Sequence, residues 1–209
     1  MHSVKIRVRD ILWAIVALLA LIAGGMTLFS NIGVDDTPAD KQVMIWYLSL
    51  HSLLFMVMAL LAILERLFPS KAGALKTVLY GGNVLFAGAY TLLVIIDASP
   101  IISEFIAKEL WRSPLSIMTL STYIIYIGIG LLVIGLCFNK LRGHLENQRS
   151  LGFLLMLFAV LSSIPTVIFS FQYNISASLH ATTITYMLLM TVLQAFPVYT
   201  LFCAKADKE

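Results

Sequence analysis

Six apolar stretches, each close to bilayer length, fill most of the chain: Ile11–Phe29, Val43–Leu64, Thr77–Ile96, Leu115–Phe138, Leu151–Phe171 and Ala181–Cys203. None carries Asp, Glu, Lys or Arg in its interior. An apolar helix of about 20 residues crosses the hydrocarbon core of a bilayer. Hydrocarbon cannot satisfy exposed backbone groups, so helices are the expected form. A transmembrane β-barrel would show shorter segments of alternating polarity. Here the β-branched residues sit inside long unbroken runs.

Composition agrees with this reading. Hydrophobic residues make up 60% of the 209 and charged residues 12%, against about a quarter charged in a soluble domain. A single small core could not bury so much apolar surface, so the surplus must face lipid. Lys5, Arg7 and Arg9 precede the first apolar run in the manner of a secretory leader. That run is long, however, and ends in Ala23-Gly24-Gly25 without a small-residue cleavage pattern, so it is read as the first span.

The charges between the spans are unequally divided. With the N-terminus placed in the cytoplasm, the inner segments hold 11 of the 14 basic residues, and Lys41, Lys108 and Arg112 alone lie outside. Five acidic residues lie inside and six outside, giving +6 and −3 on the two faces. Short loops with this bias set topology. The expected architecture is an all-α, single-domain bundle of six transmembrane helices spanning residues 1–209, with both termini cytoplasmic. The expected location is an integral membrane, specifically a bacterial inner membrane. The lipid bilayer is the first partner, and anionic inner-leaflet lipid suits the basic face. Nucleic acid is not expected, because there is no basic domain with interleaved aromatics.

The longest outer segment follows span three. Ser99-Pro100 fits a helix start, an N-cap followed by proline at the first helical position. Ile102, Phe105, Ile106 and Leu110 then recur at helical spacing, opposite Glu104, Lys108 and Arg112. This predicts a separate short amphipathic helix over 100–112 lying at the outer interface, with Trp111 as an interfacial anchor.

Polar residues within the spans are few. His51, Asn83 and Gln194 are the strong ones. Ion-coupled transporters and proton relays generally place charged side chains inside their helices, so that class is disfavoured. Neither H-E-x-x-H, G-x-S-x-G nor a P-loop occurs, and no catalytic residue, cofactor or metal site is assigned. His51 and His180 fall at similar depth and could together ligate a haem, but metal sites need a fuller ligand set. His51 reads better as an interhelical hydrogen-bonding residue. Cys137 and Cys203 fall near cytoplasmic helix ends, where a structural disulfide is not expected.

Helix six is the most irregular span. Thr183, Met187, Met190, Gln194 and Pro197 share a face, and a proline inside a helix bends it. Met190, Gln194 and Pro197 are therefore the candidate pore or hinge residues. Small residues mark helix packing: Ala20 and Gly24 in helix one, Gly128, Gly130 and Gly135 in helix four, Gly81, Gly82 and Gly88 in helix three. At least one such stripe is expected to join protomers of a homo-oligomer.

The functional expectation is a non-enzymatic anchor or sensor subunit, as in a defence or signalling pair. It would hold a cytosolic protein through Arg66, Lys71, Lys140, Arg142 and Arg149. A channel or facilitator for a small solute or ion is the alternative, and a haem- or metal-binding membrane protein the second alternative.

Overall fold

The computed structural model describes residues 8–31, 39–68, 73–110, 114–144, 148–172, 189 and 191–203. Among them no strand occurs. Five long helices follow one another: α1 (Val8–Asn31), α2 (Ala39–Leu67), α3 (Gly73–Ala107), α4 (Pro114–Arg142) and α5 (Gln148–Gln172). A sixth apolar helix, α6 (Thr191–Cys203), closes on a π turn at Tyr199–Cys203. Four helices are long and apolar enough to cross a membrane, namely those containing Val8–Met26, Leu50–Leu67, Gly73–Ala107 and Ser116–Arg142. The architecture is that of a helical membrane protein. Exposed leucines and isoleucines run along its helices, as in Leu85, Leu92 and Ile96 of α3.

Sequential neighbours pack antiparallel. Asp10 of α1 meets Arg66 of α2, while Gly24 lies against Met56. Asn83 of α3 meets Cys137 of α4, while Thr91 lies against Gly130. Helices α2 and α4 are parallel and in register. His51 lies beside Tyr126 and Glu65 pairs with Lys140, and the spacing along each helix is the same. That interval is about 21 Å at 1.5 Å per residue.

Glycines set several of these approaches. A Cβ at Gly24 would lie 2.5 Å from Met56 Cγ, and one at Gly128 or Gly130 would strike the Phe158 ring or the Thr91 hydroxyl. In the absence of side chains at these points the helix axes come together, which is how membrane helices gain contact without a hydrophobic driving force. Ala17 and Ala20 are buried beside them. The small-residue sites Ala20, Gly24 and Gly128 thus pack within one chain. Among the described residues a Cβ at Gly81, Gly82, Gly88 or Gly135 would meet nothing within 4 Å, so the close contacts expected of helix three's glycines are not found there.

The separate helix over 100–112 is not found. α3 continues through Pro100 to Ala107, and a turn with Glu109 at φ 51° follows. A proline inside a helix removes one N–H and crowds the carbonyl four residues back. The helix runs on past the proline all the same, and two side-chain contacts add to its last turns. Ser103 Oγ donates to the Ser99 carbonyl at 3.1 Å, and Lys108 pairs with Glu104 one turn earlier. The amphipathic segment is therefore the end of a 35-residue helix, about 52 Å long. Trp111 and Arg112 lie outside the described residues.

Candidate functional site

Most polar side chains of the bundle gather in two places, with a largely apolar layer between them that also holds Tyr90 and Thr91 beside Gly130. At one end, all six helices contribute to one network. Glu65 is its hub: Tyr80 Oη donates to Glu65 Oε1 at 2.8 Å, and Lys140 Nζ lies 3.4 Å from Glu65 Oε2. The same ammonium donates to the Leu201 carbonyl at 3.4 Å. Lys140 thereby joins α4 to α2 and to the π turn of α6. Both partners of the Lys140–Glu65 pair keep only a quarter of their side-chain surface exposed. Arg149 Nε donates to the Cys203 carbonyl at 3.0 Å, bringing in α5. Cations at the final carbonyls of a helix satisfy acceptors that have no intrahelical donor.

The remaining members are Asp10, Trp13 and Arg66. Arg66 Nη1 sits 3.5 Å from Asp10 Oδ1, and its guanidinium carbon lies 5.7 Å from the centre of the Trp13 ring. Trp13 stacks on Phe196 at 4.5 Å and on Tyr199 at 5.9 Å. A stacked aromatic pair contributes about 1 kcal/mol beyond its burial. One helical turn in from Tyr80 and Lys140, Asn83 Nδ2 donates to Cys137 Sγ at 3.7 Å. Asn83 Oδ1 is buried with no hydrogen-bond partner among the described residues. Both cysteines are buried free thiols.

The π turn itself has a local cause. Pro197 cannot donate to the carbonyl four residues back, so the helical ladder loses a rung there. The Thr200 hydroxyl lies 2.8 Å from the Phe196 carbonyl and 2.9 Å from that of Pro197, and donates into this pair. Wider i→i+5 bonding follows at Tyr199–Cys203. Prolines and π bulges are both recognised sources of helix distortion.

At the other polar layer, His51 is buried between Phe55, edge-on at 5.7 Å, and Tyr126, tilted at 5.7 Å. Gln194 Nε2 donates to Ser52 Oγ at 3.4 Å. Thr122 and Thr191 are buried on the helices that carry Tyr126 and Gln194. Between the two layers lie Leu54, Met58 and Leu61 of α2 and Ile129, Val133 and Leu136 of α4, all with no exposed surface.

The residues singled out in the sequence divide accordingly. Arg66, Lys140 and Arg149 are drawn into the network, whereas Arg142 stays exposed with its guanidinium carbon 4.3 Å from the Phe138 ring centre. Gln194 and Pro197 are buried, and Gln194 faces α2. Lys71, Met190 and His180 lie outside the described residues. No group of three or more His, Cys, Asp or Glu side chains could hold a metal among the described residues. Sequence reading missed Asp10, Trp13, Glu65 and Tyr80. Their signal was position: two acids lie among the inner-face bases, each within a turn of a helix end. Comparison with protein families, curated proteins and solved structures found no match.

Proposed function

We propose that the chain is a non-enzymatic, six-span protein of a bacterial inner membrane, with both termini cytoplasmic, that assembles as an oligomer and holds a cytosolic protein at its basic end. The observation that carries this reading is the six-helix network around Glu65 and Lys140. It occupies the end at which the alternate loops rich in Lys and Arg emerge. A docking surface built on fixed helix ends loses less conformational entropy on binding. Arg66 and Lys140 act as ties within it. The docking charge comes from the connections, from Lys71 and from the exposed flank of Arg149.

A solute pathway is less well supported. Met58, Leu61, Ile129, Val133 and Leu136 make the layer between the two polar groups largely apolar, and Gln194 donates to Ser52.

The test is gentle extraction of the tagged protein expressed with its neighbouring genes, followed by mass analysis of the intact complex. A stoichiometric cytosolic protein on an oligomer is expected. A bare monomer from native cells overturns the reading. Labelling of single cysteines placed at positions 71 and 205 from the cytoplasmic side only checks the topology.

A further inference from the structure

The lipid-facing surface of α4 has a measurable length. Ile117, Ile124, Leu131 and Phe138 recur every seven residues and are each 41–56% exposed. Seven residues make close to two turns, so the four share a face. From Ile117 to Phe138 the stripe is about 32 Å long, against about 30 Å for the hydrocarbon core. A bilayer matched to this stripe would have Phe138 at the edge of its acyl region and Arg142, one turn further, at headgroup height.

The geometry at that edge is specific. The Arg142 guanidinium lies over the Phe138 ring, 4.3 Å from its centre, with exposed Leu141 beside it. Lys140, two residues earlier, is rotated about 200° around the helix and is spent on Glu65 and Leu201. Arg142 forms no ion pair among the described residues. The ring packs against the guanidinium carbon, and Arg142 is exposed. The planar N–H edge of a guanidinium is the shape that takes a phosphate with two parallel hydrogen bonds. Gly143, at φ 71°, ends the helix there, so the chain turns away directly after Arg142.

We infer that Arg142 on Phe138 is a binding site for the phosphate of an anionic phospholipid, whose acyl chains lie along Phe138, Leu131 and Ile124. Charge complementarity and continuity with the acyl-height stripe both favour a lipid as the occupant. The site does not depend on docking of a cytosolic protein.

The test uses purified full-length protein in mild detergent, with phosphatidylglycerol or phosphatidylcholine added and bound lipid counted by native mass spectrometry. Wild type should retain phosphatidylglycerol in preference to phosphatidylcholine. Arg142→Gln should lower that preference about fivefold, the equivalent of one basic residue at a lipid surface. Phe138→Leu should lower it in the same direction, and serves if Arg142→Gln fails to fold. Lys108→Gln removes the same charge from an exposed site at the far end of α3 and should change nothing. Retention unaltered by Arg142→Gln and Phe138→Leu, or equal loss in Lys108→Gln, overturns the inference. So does displacement of the lipid by inorganic phosphate, which would make this a site for a free anion. No cytosolic protein is present, so the result is independent of the docking reading.

Discussion

Arg149 and Cys203 hold each other twice. The guanidinium Nε donates to the Cys203 carbonyl at 3.0 Å, and the Cys203 thiol donates to the Arg149 carbonyl at 3.7 Å. The end of α6 is thus latched to the start of α5 at a point where Gly152 lets the two backbones meet. A Cβ there would come 2.7 Å from Cys203 Sγ and 3.1 Å from Phe202 Cβ.

Gly152→Val should therefore separate the two helices. Overpacking of a tight contact typically costs about 1–3 kcal/mol. Thermal unfolding in detergent should show a lower midpoint, and proteolysis should begin at the C-terminal segment. Arg149→Met should give the same proteolytic pattern with a smaller shift, because it removes the carbonyl cap and leaves the packing intact.

Glu65 and Lys140 form a mostly buried pair, so removing either should leave the other short of a partner. Glu65→Gln and Lys140→Met should each destabilise the bundle. The double variant should be less damaged than the two single losses added together. The coupling expected is about 1–3 kcal/mol, measured as a double-mutant cycle on unfolding in mixed micelles. A cycle that closes to zero would show the pair to be energetically idle.

The glycines of α4 offer a matched comparison. Gly130→Ala meets Thr91 and the Tyr90 ring, whereas Gly135→Ala meets nothing among the described residues. The first should cost about 1–3 kcal/mol. The second should be neutral or stabilising, since alanine is the better helix former by about 1 kcal/mol. Equal effects in the two variants would mean that the α3–α4 approach is looser than this geometry.

Gln194→Leu removes the hydrogen bond to Ser52. Interhelical hydrogen bonds of this kind average about 0.6 kcal/mol in membranes, so the unfolding midpoint should fall only slightly. In proteoliposomes the variant should leave passive flux at the background of empty vesicles, as wild type should. A flux that disappears with Gln194 would instead make this residue part of a path.

The helices were legible in the sequence because hydrocarbon allows one solution to a long apolar run. The division of the cations was not. Lys140 and Arg142 are two positions apart, and α4 is apolar almost all round, so no polar stripe told which side faced the bundle. Facing is set by Glu65 on one helix and Leu201 on another, both distant in sequence. Pro100 shows the opposite failure. Ser99-Pro100 obeys the local rule for a helix start, but seven turns of α3 were already formed before it. Extending an existing helix across one missing hydrogen bond is less costly than nucleating a new one. His51 lies between α2 and α4 beside Phe55 and Tyr126, a placing that required the register of the two helices and that a lone polar residue in an apolar run does not give.

That common register has an electrical consequence. The segment from His51 to Glu65 on α2 and the segment from Tyr126 to Lys140 on α4 carry formal charge only at their Glu65 and Lys140 ends, and there the two signs cancel in a pair. A transmembrane potential acts by moving charge through the field, at about 2.3 kcal/mol per elementary charge per 100 mV. Between those ends the two segments offer that field no formal charge to act on.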